Sequence, residues 1–192
     1  MNKNKDKKGQ LFFLVGNSGS GKDSLLKEAL DKWPKDLPLV KIPRRYITRP
    51  LHETEPFHSV SPKEFHKMKT KGKFCFTWHI YDLDYGVPHE ILQWVQNGAL
   101  VVVNVSRKII PEARREFPTL KVIFVKVPFA ITLDRIKKRG REDPSDPIFQ
   151  ERVARARKME NYSDADFIVD NSGDLHIGAT QLRNYLLSFA GK

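Results

Sequence analysis

The sequence predicts an α/β fold: a five-stranded, mostly parallel sheet with helices on both faces. Three observations predict it. Short apolar runs, LFFLV at 11–15, GALVVVNV at 98–105 and KVIFVKV at 121–127, have the near-continuous hydrophobicity of strands buried on both sides. Helical patterns separate these runs, and such alternation implies parallel strands with crossover helices. A glycine-rich stretch, GNSGSGKD at 16–23, lies directly between the first strand and the first helix.

Taken in order, MNKNKDKKGQ at 1–10 is basic and reads as a disordered tail. The five-residue apolar run behind it is too short for a secretory signal. Residues 11–192 read as a single domain. A helix follows the glycine stretch, with Leu25, Leu26, Ala29, Leu30 and Trp33 on one face. Pro34 stops it. LVKIP at 39–43 reads as the second strand. The strand at 98–105 precedes a helix at 107–117, and the strand at 121–127 precedes one at 130–139. A further helix is expected at 148–162. FIVDN at 167–171 is the fifth strand, and the last helix, 175–189, carries Leu182, Tyr185, Leu186 and Phe189 on one face.

Two stretches break the alternation. Residues 44–97 are mixed, aromatic and rich in histidine, and read as an insert. GREDPSDP at 140–147 is a polar loop. Ligands of open α/β sheets bind beyond the strand carboxyl ends. Both stretches can close over that edge and exclude water.

Composition narrows the classes. The chain has 192 residues, 40% of them hydrophobic, which fits one domain with a real core. One cysteine, Cys75, excludes an intramolecular disulfide framework and fits a reducing, cytoplasmic setting. No apolar run reaches membrane-spanning length. The formal net charge is +11, clustered at Arg44, Arg45 and Arg49, at 135–141 and at 152–158. No basic, aromatic-interleaved motif accompanies it, so small phosphorylated ligands are expected rather than nucleic acid. The six histidines show no metal-ligand spacing. Nothing indicates an oligomeric state.

Gly16, Gly21 and Lys22 fit the phosphate-loop pattern G-x-x-x-x-G-K-[ST]. Strand, glycine loop and helix is the context that gives the pattern a mechanism. Glycines let backbone N–H groups converge on phosphate oxygens, and the helix N-terminus adds partial positive charge. A nucleotide is therefore expected on Gly16, Asn17, Ser18, Gly19, Ser20, Gly21, Lys22, Asp23 and Ser24. Asp23 stands where the pattern has Ser or Thr. It can join a Mg²⁺ shell, directly or through water, or serve as helix N-terminal charge. Asn104 and Ser106 alternate with valines, so they share a side at the carboxyl end of their strand.

Several motifs occur in one order: GNSGSGKDSLL (16–26), RRYITRP (44–50), TWH (77–79), DYGVPHEI (84–91), VVNVSR (102–107) and RGRE (139–142). On these the chain resembles the guanylate kinase superfamily over nearly its whole length. Within it, the chain is most similar to the ribose 1,5-bisphosphate phosphokinases of phosphonate breakdown, whose loops also end in Lys-Asp. The resemblance implies a P-loop nucleoside monophosphate kinase fold, with 44–97 as acceptor-binding insert and 139–152 as lid. It implies ATP and Mg²⁺ as cofactors, and a product, phosphoribosyl pyrophosphate. It makes Lys22, Arg139 and Arg152 catalytic and puts Asn171 near adenine. Arg44, Arg45, Thr48, Arg49, Trp78, His79, Tyr85, Asn104, Ser106 and Arg107 are the implied acceptor residues.

The acceptor region departs from guanylate kinases. Arg45 stands for a guanine-touching serine, His52 for an arginine, Phe57 for a phosphate-binding tyrosine, and Phe76 near a guanine-reading glutamate. These losses argue against guanine. The lid is about two residues longer and holds Pro144 and Pro147. Arg155, Arg157 and Lys158 read as a solvated basic face. The alternatives are a guanylate or other nucleoside monophosphate kinase, and a non-catalytic binding module.

Overall fold

The structure is a computed structural model that describes residues 9–50, 56–140 and 142–190. A parallel sheet forms its centre, in the order β6-β1-β7-β8. The strands are β1 (Gln10–Val15), β6 (Leu100–Asn104), β7 (Lys121–Lys126) and β8 (Phe167–Asp170). β1 alternates between two cores. Leu11, Phe13 and Val15 pack on one face, and Phe12 and Leu14 on the other. All five are 3% exposed or less, which is why the run reads as continuously apolar. Each such side chain contributes roughly 1.5–3 kcal/mol by burial.

Helices α1 (Lys22–Asp31) and α7 (Leu175–Leu187) cover one face, through Leu25, Leu26, Ala29, Leu182 and Leu186. The other face carries a 3₁₀ turn (Arg107–Ile109), α4 (Ile110–Glu116) and α3 (Glu90–Gln96). Helices α5 (Phe129–Arg139) and α6 (Pro147–Lys158) form a smaller cluster around Ile136, Phe149 and Ala156.

The insert is a second sheet, in the order β3-β2-β5-β4, with α2 (Pro62–Thr70) beside it. Its strands are β2 (Tyr46–Ile47), β3 (His58–Ser59), β4 (Phe74–Ile80) and β5 (Leu83–Pro88). β4 and β5 form an antiparallel hairpin closed by Tyr81 and Asp82. Phe76, Trp78 and Val87 bury it against the same core as Phe13 and Val103. The insert is thus fastened to the sheet at its P-loop end.

The expected second strand at 39–43 is reduced to one parallel bridge between Lys41 and Val101. Lys41 N–H donates to Leu100 (2.8 Å), and Val102 N–H donates to Lys41 (2.9 Å). Pro38 and Pro43 flank it without backbone donors, so the ladder cannot extend. The central sheet therefore has four strands and an edge bridge rather than five strands. β1 begins at Gln10, inside the stretch read as tail; residues 1–8 lie outside the described residues. Among the described residues, no helix is long and apolar enough to cross a membrane.

Candidate active site

The P-loop leaves β1 and returns as α1. Gly21, at the helix N-cap, has φ 77°, a conformation open to glycine. A Cβ on Gly16 would meet Ser20 Oγ at 2.8 Å and the Val125 carbonyl at 2.9 Å. Both positions need glycine for that reason. Lys22 Nζ donates back to the Gly16 and Asn17 carbonyls, each at 3.0 Å, and to Ser20 Oγ at 3.2 Å. Burial lowers its pKa to about 8; Asp23 opposes that, while Arg45, Arg107 and Arg139 add to it.

Asn17 is held from three directions. Its amide donates to the carbonyls of Ala156 (3.0 Å) and Met159 (3.2 Å), and its Oδ1 accepts from Arg107. Arg107 also donates to Met159 O at 2.9 Å and lies over the rings of Phe124 and Tyr162. Burial, then Arg155, lowers its pKa to about 10. Asn171 is 2% exposed and donates to the Ser20 carbonyl at 2.8 Å. Asp23 follows Gly21 into the first turn, where Asn104 donates to its Oδ1 at 3.0 Å. The helix N-cap is Gly21, so no side-chain cap hydrogen bond closes this end.

A cleft of about 560 Å³ opens above this loop. Its P-loop wall is Gly16 to Gly19 and Gly21 to Ser24. The insert contributes Arg45, Ile47, Arg49, Trp78, Ile80, Tyr81 and Tyr85. Trp78 and Tyr85 are stacked, with ring centres 5.1 Å apart and 6° between planes. Arg49 lies 4.8 Å over the Phe57 ring. β6 and the turn after it add Asn104, Val105, Ser106 and Arg107. Helix α5 adds Arg135, Lys138 and Arg139, and α6 adds Arg152 and Arg155. The described lining thus carries nine cationic side chains (Lys22 and eight from the insert, β6 turn and lid helices) and one carboxylate, Asp23. That excess is the electrostatic footprint of a polyanion site.

Arg152 joins α6 to the loop. It donates to Ser18 Oγ (3.2 Å), pairs with Glu142 (3.0 Å) and lies 4.1 Å over Tyr81. Arg135 donates to the Asn171 carbonyl at 3.1 Å and reaches the Gly21 end of the loop.

Most of the expected site residues converge on the cleft, but five do not. His79 faces outward, 61% exposed, and meets Asp84 at 2.9 Å. Strand alternation explains it: Trp78 and Ile80 line the cleft, but His79 does not. Arg44 is exposed and absent from the lining, whereas Arg45 is in it. Thr48 Oγ1 accepts from Asp84 N–H at 2.8 Å and ties β2 to the hairpin. Ser20 and Asn171 support the loop from below rather than line it. Arg107 lines the cleft, and its terminal N–H groups donate to Asn17 and Met159, tying the loop to the end of α6. Phe76 is a core residue, edge-on to Phe13 at 5.3 Å and Phe117 at 5.7 Å; it neither reads nor refuses a base. His52 lies outside the described residues.

Arg155, read from sequence as part of a solvated face, lines the cleft. Its spacing from Arg152, three residues along α6, was the available signal. Arg135 stands four before Arg139 in the same way. Tyr81 had no such signal, because only the hairpin brings it to α6.

The profile of the guanylate kinase family matches residues 8–188. A Thiobacillus denitrificans protein named ribose 1,5-bisphosphate phosphokinase PhnN is 36% identical over 175 residues, covering 91% of this chain and 90% of its own. A Pseudomonas fluorescens protein of the same name is 38% identical over 173 residues, covering 87% and 89%. Among solved structures, guanylate kinase from Anaplasma phagocytophilum superposes with a TM-score of 0.71 at 17% identity, covering 96% of this chain and 87% of its own. That likeness extends to the fold. With the family profile spanning nearly the whole chain and relatives this similar along their length, the chain belongs to the guanylate kinase family.

Proposed function

We propose that the chain transfers the γ-phosphoryl group of ATP to ribose 1,5-bisphosphate, giving ADP and phosphoribosyl pyrophosphate. A 1-phosphate oxygen attacks the γ-phosphorus in line, and the bond to the β,γ-bridging oxygen breaks. The attacking oxygen is already ionised near neutrality, so no general base is needed. Catalysis is then positioning and charge stabilisation. Loop N–H groups and Lys22 hold the donor phosphates, while Arg139 and Arg152 face the charge that develops on the transferred group. Asp23, beside the loop and held by Asn104, fits a Mg²⁺ ion, which takes one or two carboxylates plus phosphate oxygens and water. When bound, that ion would neutralise phosphate charge. A soluble, cytoplasmic enzyme without nucleic-acid partners is part of the same reading.

One observation carries the acceptor assignment. On the insert side, the described lining offers Arg45 and Arg49 with aromatic and aliphatic groups, but no carboxylate or amide. A guanine placed there meets no carboxylate or amide to pair its ring N–H donors, and each donor left unpaired costs roughly 1–3 kcal/mol. A sugar with two phosphates needs the cations and no base reader. The names carried by the relatives support the same acceptor. ADP release measured with ribose 1,5-bisphosphate, GMP and AMP tests it. The sugar bisphosphate is expected to be far the fastest; comparable rates with GMP would refute it.

A further inference from the structure

Tyr81 and Asp82, which close the β4–β5 hairpin, both have positive φ, 55° and 57°. Such two-residue turns favour Asn, Asp and Gly, because a bulky side chain crowds the left-handed backbone. Asp82 fits this rule and Tyr81 breaks it. The ring of Tyr81 has a compensating contact: the Arg152 guanidinium lies 4.1 Å from its centre. Arg152 is 7% exposed, and its two terminal nitrogens meet Ser18 of the P-loop and Glu142 of the lid, while its buried Nε has no partner among the described residues. The Tyr81 ring covers the guanidinium face that those bonds leave open. Three separate parts, the donor loop, the lid and the acceptor hairpin, therefore meet on one arginine.

We propose that Tyr81 is a positioning residue that fixes Arg152 over the donor phosphates and couples the acceptor hairpin to the lid. The ring contributes through the guanidinium, not through its hydroxyl, which has no hydrogen bond to another described residue. Burial raises the Tyr81 pKa, so the hydroxyl stays neutral throughout the working range. The inference rests on the kinase reading but not on the identity of the acceptor.

The test compares Tyr81→Asn and Tyr81→Phe with the parent, alone and in an Arg152→Ala background. Readouts are kcat for ADP release with ribose 1,5-bisphosphate, slow ADP release without acceptor, and melting temperature. Tyr81→Asn relieves the turn, so its melting temperature should equal or exceed the parent's while kcat falls about tenfold. Tyr81→Phe keeps the ring and should stay within about twofold. In the Arg152→Ala background, Tyr81→Asn should cost nothing more. Parent-like kcat in Tyr81→Asn overturns the proposal, as does equal damage from Tyr81→Phe or an undiminished loss without Arg152. A parent that releases ADP slowly but ignores ribose 1,5-bisphosphate counts against the acceptor assignment; the acceptor-free rates then decide the role of Tyr81.

Discussion

Asn104, at the carboxyl end of β6, donates a 3.0 Å hydrogen bond to the carboxylate of Asp23, the residue that breaks the P-loop pattern. The bond orients Asp23 from outside its own helix. If its purpose is a Mg²⁺ shell, Asp23→Ala should raise the magnesium concentration for half-maximal rate several-fold. Asn104→Ala should shift it the same way by less, since it frees the carboxylate without removing it. A magnesium titration of ADP release checks this. Unchanged magnesium dependence with a lower melting temperature would assign Asp23 to the helix dipole instead.

Lys22 should show pH-dependent ligand binding. Burial leaves its ligand-free pKa at about 8, well below the usual lysine value of 10.5. Polyphosphate needs the charged form, so binding restores the proton. ATP affinity should therefore be flat below pH 8 and weaken as pH rises above it, with proton uptake on binding in that range. Calorimetry in two buffers of different ionisation enthalpy measures both. Lys22→Ala should remove the pH effect and lower transfer by on the order of 10²–10³.

Arg107 was expected to bind the acceptor, yet it holds Asn17 and Met159. Removing one side of a buried charged network leaves its partners unsatisfied, at about 2 kcal/mol or more. Arg107→Ala should lower the melting temperature by about 4–8 °C. It should also raise KM for ATP more than KM for the acceptor. A stable variant with only the acceptor KM changed would restore the original assignment.

Phe76 gives a further check. It fills the core between Phe13 and Phe117, so Phe76→Ala should destabilise by about 3–5 kcal/mol. Phe76→Glu should fail to create GMP kinase activity, because that carboxylate would enter the core rather than the cleft. Denaturant unfolding and GMP turnover read the two effects.

The central sheet was legible because LFFLV and KVIFVKV are buried on both faces, a pattern that depends little on the rest of the chain. The phosphate loop was legible because Gly16, Gly21 and Lys22 meet a local geometric need. The insert was not, since β2 and β3 are two residues each and owe their form to pairing, β2 with β5 and β3 with β2. His79 was misplaced although its parity with Trp78 was readable. The tie from Arg107 to Asn17 was not readable because the two lie 90 residues apart. Such long-range hydrogen bonds leave no trace in local spacing.

The most direct measurement is product identification after incubation with ATP, Mg²⁺ and each of ribose 1,5-bisphosphate, GMP and AMP. Phosphorus NMR distinguishes a new diphosphate on the sugar from a nucleoside diphosphate. The expected result is phosphoribosyl pyrophosphate formed in step with ADP, and little GDP or new ADP from the nucleotide acceptors. Robust GDP formation with no phosphoribosyl pyrophosphate would contradict the acceptor assignment.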